Sequence, residues 1–166
     1  MKTRLGRMVA LVVIVIGVAM PAAAEDYMAK TVTDVAADSK DHTTLVAALQ
    51  AADYLDALRN PGPFTVFAPT NAAFEKLPPG TVETLMKPEN QEKLKRILQH
   101  HVLLSTYEAK WFKDGQTLGM VDGKKATMHV QDGKVMIEGA TLGGSVRCGN
   151  GIVHVVDAVV LPPESE

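Results

Sequence analysis

Residues 64–74 read FTVFAPTNAAF, and this stretch decides how the first part of the chain folds. Its first five residues, 64–68, are rich in β-branched and aromatic side chains, which favours a short strand. Pro69 stops the strand because proline has no backbone N–H to donate. The side chain of Thr70 or Asn71 can then accept hydrogen bonds from the first amides of a helix. The stretch therefore predicts a strand that leads through a capped turn into a short helix.

A second stretch near the end of the chain, residues 150–162, reads NGIVHVVDAVVLP. It opens on an Asn-Gly pair, which favours a tight turn because both residue types accept the left-handed backbone conformation. Residues 152–161 are then almost wholly apolar, with His154 and Asp157 as the exceptions. A continuous apolar run of this kind predicts a strand that is covered on both faces.

Helical periodicity is concentrated in the first half of the chain. Within residues 43–52 the apolar side chains recur every three or four positions, with Thr43 as the expected N-cap. Pro88 suits the first position of another helix, which should run towards His101. The apolar face of that helix comprises Leu94, Ile97, Leu98 and then His101. His100 projects to one side, so we predict His101 in the core and His100 on the surface.

Beyond Val102 the hydrophobic period falls to two, which indicates strands. The pairs at residues 122–123 and 132–133 are both Asp-Gly, and the second has the flanking spacing of a type I′ hairpin turn. Helices in the first half and strands in the second predict an α+β fold rather than a repeating βαβ pattern.

The amino terminus has the layout of a secretory signal peptide. Three basic residues precede an apolar run without charge, and residues 22–24 are all alanine, which signal peptidase accepts. A membrane anchor is the competing interpretation, but the run ends at Pro21 and is shorter than a spanning helix requires. We therefore predict a cleaved signal peptide at residues 1–24, a single domain at residues 25–166, and a secreted or periplasmic location without a membrane span.

Charge and cysteine content narrow the class of protein further. Removal of the three basic residues leaves 14 Lys and Arg against 19 Asp and Glu, a net charge near −5. A nucleic-acid surface would need clustered basic residues, so we expect no nucleic-acid partner. The single cysteine, Cys148, cannot form an internal disulfide. We interpret it as a small buried residue near a turn, with a reactive or intermolecular thiol as the alternative.

Three segments together resemble one known family, the fasciclin domains. Residues 64–74 resemble the first signature box, TVFAPT followed by Asp, any residue, Ala and Phe, and residues 150–162 resemble the second, NGVIHVID. Residues 94–102 occupy the place of the family's Tyr-His segment. The resemblance implies two β-sheets packed as a wedge, with flanking helices and with the two boxes as neighbouring core strands. Core positions in the boxes are then Val66, Phe67, Phe74, Val153, Val155 and Val159.

The chain departs from the family pattern at two positions that bear on function. The usual Asp of the first box is Asn71, which keeps capping ability but has no charge, and the Tyr of the Tyr-His segment is His100. Because that Tyr is associated with integrin binding in animal relatives, and because the chain has no Arg-Gly-Asp, integrin recognition does not carry over. The resemblance implies a secreted adhesion or extracellular-matrix module that binds a cell-surface or matrix protein or polysaccharide. We expect it to be a monomer.

Motifs for catalysis are missing from the sequence. It has no Gly-x-Ser-x-Gly elbow, no His-Glu-x-x-His and no phosphate-binding loop. No two of the five histidines have the i, i+4 spacing that places two imidazoles on one metal, so we expect no enzyme activity, cofactor or metal. His101 and His154 lie in apolar stretches and are interpreted as core histidines that hydrogen-bond to a backbone or side-chain group, with Asn71 and Asp157 as the named candidates. The alternative for these two rings is a pH-sensitive ligand site.

The candidate binding residues are aromatic side chains in a polar context. Trp111 and Phe112 are adjacent, with Tyr107 nearby, and exposed aromatic anchors dominate binding hot spots. His100, as a predicted surface residue, completes this set. Residues Thr70, Asn71, His101, His154 and Asp157 are assigned to structure. The competing function is a carrier of a small hydrophobic ligand such as a carotenoid, since some fasciclin-like proteins of photosynthetic organisms bind carotenoids.

Overall fold

The computed structural model describes residues 28–162, so the predicted signal peptide lies outside the described residues. Five α-helices are present in this range, and 3₁₀ turns at Lys40–His42, Asp56–Arg59, Pro88–Asn90 and Ala109–Trp111 separate some of them. The helices are α1 Val32–Asp38, α2 Thr43–Ala51, α3 Asn71–Glu75, α4 Thr81–Leu85 and α5 Gln91–Gln99. All of them precede the long β-region, as the sequence predicted. None of the helices described is long and apolar enough to cross a membrane.

Within residues 28–162, seven strands form a sheet in the order β2-β1-β7-β6-β5-β4-β3. The strands are β1 Phe64–Pro69, β2 Val102–Leu103, β3 Thr117–Gly119, β4 Lys125–Gln131, β5 Lys134–Ile137, β6 Ala140–Cys148 and β7 Gly151–Val156. Strands β1 and β7 carry the two boxes and pair in parallel, with Phe64 opposite Gly151 and Pro69 opposite Val156. The α+β class and the prediction that the boxes are neighbouring strands are therefore confirmed.

Strand β6 belongs to both halves of the sheet. Its first two residues, Ala140 and Thr141, pair with β5, whereas the residues from Leu142 onwards pair with β7, with an irregularity in register between Leu142 and Gly144. Such irregularities bend a strand and increase its twist, which lets one strand serve two differently oriented halves. The two halves enclose a shared core, as the predicted wedge requires, but their hydrogen bonding is continuous through β6.

Two hydrophobic clusters hold these layers together. The first lies between the helices and the inner strands, and the second lies between the two halves of the sheet. Phe67 is fully buried in the second cluster. Of the box residues predicted as core, the structure buries Val66, Phe67 and Val153 and leaves Phe74, Val155 and Val159 partly exposed.

Two predicted element boundaries can be compared with the structure. The prediction that one strand continues to Leu161 is wrong, because β7 ends at Val156. Its neighbour β1 ends at Pro69, where the chain turns into α3, so no parallel strand is left for β7 to pair with. The predicted type I′ turn between β4 and β5 is confirmed, since Asp132 and Gly133 have φ values of 51° and 74°.

Candidate functional site

His101 is a core residue, as the helical periodicity predicted. Its Nδ1 atom donates to the carbonyl of Ile97 at 2.7 Å, and its Nε2 atom accepts the amide of Val160 at 3.0 Å. Burial lowers the pKa of His101 to about 4, because a charged ring would lose its hydration. The predicted hydrogen bonding to a backbone group is confirmed, whereas the named candidates, Asn71 and Asp157, are not the partners of this ring. His101 instead ties the end of α5 to the chain that follows β7.

His154 is the second buried histidine, and it connects three segments. Its Nε2 atom donates to the carbonyl of Tyr107 at 2.7 Å, and its Nδ1 atom accepts from the hydroxyl of Ser145 at 2.6 Å. The ring stacks on Phe67 with 5.6 Å between ring centroids. Burial lowers the pKa of His154, so the neutral ring is the form that these contacts stabilise. The predicted hydrogen bonding to backbone or side-chain groups is therefore confirmed, but the partners are Tyr107 and Ser145 rather than Asn71 or Asp157.

The polar residues of the first box have structural roles. The side chain of Thr70 accepts the amide of Ala73 and caps α3. Asn71 caps a different helix, because its Oδ1 atom accepts the amide of Thr44 at 3.0 Å. The prediction that Thr43 caps α2 is wrong, since Thr43 is the first residue within that helix.

Asp157 also has a structural role, at the point where β7 ends. Its carboxylate accepts the amide of Thr141 at 2.7 Å and lies 3.6 Å from the ammonium of Lys76. The backbone amide of Asp157 donates to the carbonyl of Thr141. Asp157 therefore fastens the end of β7 to the start of β6.

His100 is not on the surface, so this prediction is wrong. Helix α5 ends at Gln99, and His100 is the capping residue that follows it, with a helical backbone conformation and an amide that still donates to the carbonyl of Arg96. Its ring is fully buried, and its Nδ1 atom lies 2.8 Å from a carboxylate oxygen of Asp122. The periodicity of α5 does not show that Asp122, in the turn between β3 and β4, covers this side chain.

The three aromatic candidates separate into an exposed, a partly exposed and a buried residue. Trp111 is 50% exposed, as predicted, and Tyr107 is partly exposed. Phe112 is buried in the core between the two halves of the sheet, so its predicted exposure is wrong. Trp111 ends a 3₁₀ turn and Phe112 follows in extended conformation, which turns the two neighbours to opposite sides. The ring of Phe112 stacks under Tyr107 at 5.7 Å between centroids.

Charged side chains surround the exposed indole. The carboxylate of Glu108 lies 2.6 Å from the ammonium of Lys110 and 3.1 Å from the guanidinium of Arg147. The Lys110 hydrogen bond holds the pKa of Glu108 below its usual value. The Lys110 ammonium also lies 5.8 Å from the centroid of the Trp111 ring. A groove of about 340 Å³ opens beside them and is lined by Glu108, Ala109, Lys110, Ser145, Arg147 and Ile152.

We call this region the Trp111 surface and define it by Glu108, Lys110, Trp111, Ser145 and Arg147. The loop that carries it is bonded to the sheet. The hydroxyl of Thr65 in β1 accepts the amide of Tyr107 and donates to the carbonyl of Ser105. The carbonyl of Tyr107 accepts a hydrogen bond from His154 in β7, so the loop that carries the exposed Trp111 is bonded to both β1 and β7.

Sequence reasoning missed three members of this arrangement: Thr65, Glu108 and Arg147. Thr65 had a signal, because it is the polar residue inside an apolar strand and its hydroxyl must be satisfied when buried. Glu108 and Arg147 had none, since they are 39 residues apart and meet only when β6 packs beside the loop.

A second concavity lies on the other side of β6 and β7, beneath α1. It has a volume of about 330 Å³. Its apolar lining consists of Val35, Ala36, Val146, Val153 and Val155, and its polar lining consists of Lys30, Asp38, Ser39 and His42. Burial lowers the pKa of His42, so the neutral ring faces this side of the domain.

Cys148 is buried, as predicted, at the turn between β6 and β7. Its Sγ atom donates to the carbonyl of Gly151 at 3.2 Å, and burial raises the pKa of the thiol. A raised pKa keeps the sulfur in its unreactive thiol form. Among residues 28–162, no group of three or more His, Cys, Asp and Glu side chains is arranged to hold a metal ion.

The paired boxes, the sheet shared through β6 and the buried histidines define an α+β domain of the fasciclin type. The family model for the fasciclin domain matches residues 40–162, and the chain belongs to this family. The chain is 47% identical over 136 residues to Protein sll1483 of Synechocystis sp., and this alignment covers 81% of this chain and 75% of that protein. It is 35% identical over 150 residues to immunogenic protein MPB70 of Mycobacterium bovis, and this alignment covers 86% of this chain and 75% of that protein.

A solved structure has the same fold. The FAS1 domain pair from the insect cell adhesion molecule fasciclin I aligns with a TM-score of 0.70 and 20% sequence identity. The alignment covers 80% of this chain and 51% of the domain pair, so this chain spans about half of that structure. At this identity the likeness establishes the fold.

Proposed function

We propose that this protein is an exported, non-enzymatic fasciclin module of the adhesion or extracellular-matrix type, which binds its partner through the Trp111 surface. The observation that carries the proposal is the half-exposed indole of Trp111 on a loop whose backbone is bonded to the core. Family membership supports the binding class, since the structural neighbour belongs to an insect cell adhesion molecule. The layout of residues 1–24 supports export.

The support beneath Trp111 favours recognition over a purely structural role. An exposed aromatic costs free energy in water, and tryptophan is enriched among the residues that dominate binding energy. Three hydrogen bonds hold the backbone of Ser105 and Tyr107, so the loop loses little conformational freedom when a partner binds. Glu108, Lys110 and Arg147 form the polar rim that typically surrounds such an anchor.

A pull-down from the native cell envelope with the mature protein tests the proposal. Trp111→Ala should abolish capture of the partner, or reduce it by at least tenfold, because an aromatic anchor contributes about 2 kcal/mol or more. Leu161→Ala is the matched control, since Leu161 is also 50% exposed but lies outside the Trp111 surface. Equal capture by both variants and by the wild type contradicts the proposal. Circular dichroism confirms that each variant is folded.

A second candidate function is the transport of a small hydrophobic ligand such as a carotenoid. The concavity beneath α1 favours it, because five of its lining residues are apolar. Its volume of about 330 Å³ is near the lower end of typical ligand pockets, which suits a compact molecule better than a long polyene. A visible absorption spectrum of protein purified from the native host tests the carotenoid form of this second function. A bound polyene colours the protein, whereas an adhesion module is colourless.

A further inference from the structure

The Trp111 surface carries a local excess of positive charge. Lys110 and Arg147 both pair with the carboxylate of Glu108, so these three side chains have two positive charges and one negative charge. The side chains of Lys110 and Arg147 are 71% and 62% exposed, whereas that of Glu108 is 26% exposed. The cations therefore face solvent more than the carboxylate does. This surface attracts anions, although the whole chain has a formal net charge of −2.

Arg147 keeps hydrogen-bond donors for a ligand. Its Nη1 atom donates to Glu108 at 3.1 Å, and its other guanidinium donors have no acceptor among the described residues. A guanidinium fork matches the two oxygens of a carboxylate, to which it can donate two parallel hydrogen bonds. Lys110 and Arg147 both line the groove of about 340 Å³, so a carboxylate in that groove can contact both cations.

The rest of the Trp111 surface matches the faces and edges of a sugar ring. A sugar ring has C–H groups on its faces, and these pack on the negative face of an aromatic ring such as the half-exposed indole of Trp111. Ala109 and Ile152 add an apolar wall to the groove. The hydroxyl of Ser145 donates to His154, so its oxygen can still accept a hydrogen bond from a sugar hydroxyl.

A protein partner fits these features less well. A stable protein interface buries about 800 Å² on each side, and its core contains several apolar and aromatic side chains. The Trp111 surface offers one exposed aromatic, because the neighbouring Phe112 is buried between the two halves of the sheet. One flat ring beside charged donors suits a ligand that is built from single rings, each with a carboxylate.

We infer that the partner of the Trp111 surface is an acidic polysaccharide, in which one uronic acid residue packs its ring on Trp111 and bonds its carboxylate to Arg147 and Lys110. This inference rests on the proposed function, because it names the class of partner for the same surface. The groove is near the lower end of ligand pockets in volume, which suits a short stretch of such a chain. A polymer repeats this unit, so several copies of the protein can bind along one chain.

Fluorescence of the mature protein tests the inference directly, because Trp111 is the only tryptophan in the sequence. Oligomers of galacturonic acid and of mannuronic acid are the probes, and the methyl ester of each oligomer is its uncharged control. We expect a saturable change in tryptophan emission with at least one acid oligomer. Its ester should bind about tenfold more weakly, because it lacks the charge-assisted hydrogen bonds. Added salt should weaken binding of the acid oligomer.

A substitution at Arg147 tests the role of the guanidinium. Arg147→Gln should weaken binding of the acid oligomer about tenfold and should change binding of the ester much less. Arg59→Gln is the matched control, because Arg59 is 54% exposed, pairs with Asp56 at the same 3.1 Å and lies outside the Trp111 surface. The control should bind the acid oligomer as the wild type does.

Three outcomes overturn the inference. They are equal binding of the acid oligomer and its ester, no change in emission with either acid oligomer, and binding of a polyglutamate of equal charge that is as tight as that of the acid oligomer. The last outcome would indicate an acidic protein as the partner. Failure of this inference is distinct from failure of the proposed function. Capture from the envelope that depends on Trp111, without binding of either acid oligomer, refutes the polysaccharide alone, whereas capture that is unaffected by Trp111→Ala refutes the proposed function.

Discussion

Replacement of Asn150 by Asp should be among the most damaging isosteric changes in this protein. The Asn150 side chain is buried at the start of the second box and connects distant segments. Its Oδ1 atom accepts the amide of Val32, and its Nδ2 atom donates to the carbonyls of Leu58 and Asn60, each at 2.8 Å. Aspartate keeps the acceptor but places a carboxylate oxygen where the two donors were.

The expected loss in the free energy of unfolding follows from these contacts. Two hydrogen bonds are lost, each of which contributes about 1 kcal/mol, and the buried carbonyl of Leu58 loses its donor, at a cost of about 1 to 3 kcal/mol. Repulsion between the carboxylate and both carbonyls adds to the loss. We expect Asn150→Asp to lower the free energy of unfolding by about 3 to 5 kcal/mol at pH 7. That is a large part of the stability of a typical domain.

Urea unfolding at pH 7 measures this loss, and Asn90→Asp is the matched control. The Nδ2 atom of Asn90 makes one hydrogen bond, to the carbonyl of Thr84 at 2.8 Å, in a solvent-exposed position. The control should lose less than about 1 kcal/mol because water replaces the lost contact. The loss in Asn150→Asp should also shrink at acidic pH, where the protonated carboxyl can donate again. A loss in Asn150→Asp no larger than in the control refutes the reasoning.

Two further predictions concern a buried ring and a turn. The pKa of His101 is about 4 in the folded protein, against 6.5 for an ordinary histidine, so the unfolded chain takes up the proton first. The stability contributed by the neutral ring should be complete above about pH 6.5 and should fall by up to about 3 kcal/mol as the pH approaches 4. Urea unfolding at several pH values measures this fall in stability. His101→Ala should lower the free energy of unfolding by about 1 to 3 kcal/mol at pH 7, and its stability should depend less on pH than that of the wild type. Gly133→Ala should cost about 1 kcal/mol in thermal unfolding because its φ is 74°, whereas Gly119→Ala, in an open strand position, should cost little.

The position of His100 shows where prediction from periodicity ends. The apolar spacing in α5 correctly placed Leu94, Ile97 and Leu98 in the core, and His101 with them. His100 points to one side of this face, and its partner Asp122 is 22 residues away in the chain. Nothing in the local pattern indicates that the turn between β3 and β4 covers this ring.

Local chemistry also failed to predict most long-range hydrogen bonds. Asn71 was expected to cap a helix, and it does, but the helix is α2 rather than the one that begins at its own position. His101 and His154 were expected to hydrogen-bond to backbone or side-chain groups in the core, and they do, but the partners are not the candidates Asn71 and Asp157. The residue type predicted the need for a partner, and the packing of the segments selected the partner.

By itself the sequence determined the features that depend on neighbouring residues: the helix and strand periods, the hairpin turn at residues 132–133, and the strand character of the two boxes. The tertiary structure alone decided which aromatic of the Trp111 and Phe112 pair faces solvent, and which buried polar groups meet. The physical reason is the distance along the chain over which each kind of interaction acts. Backbone preferences act over a few residues, whereas a contact such as that between Asn150 and Val32, 118 residues apart, exists only after the sheet and helices have packed.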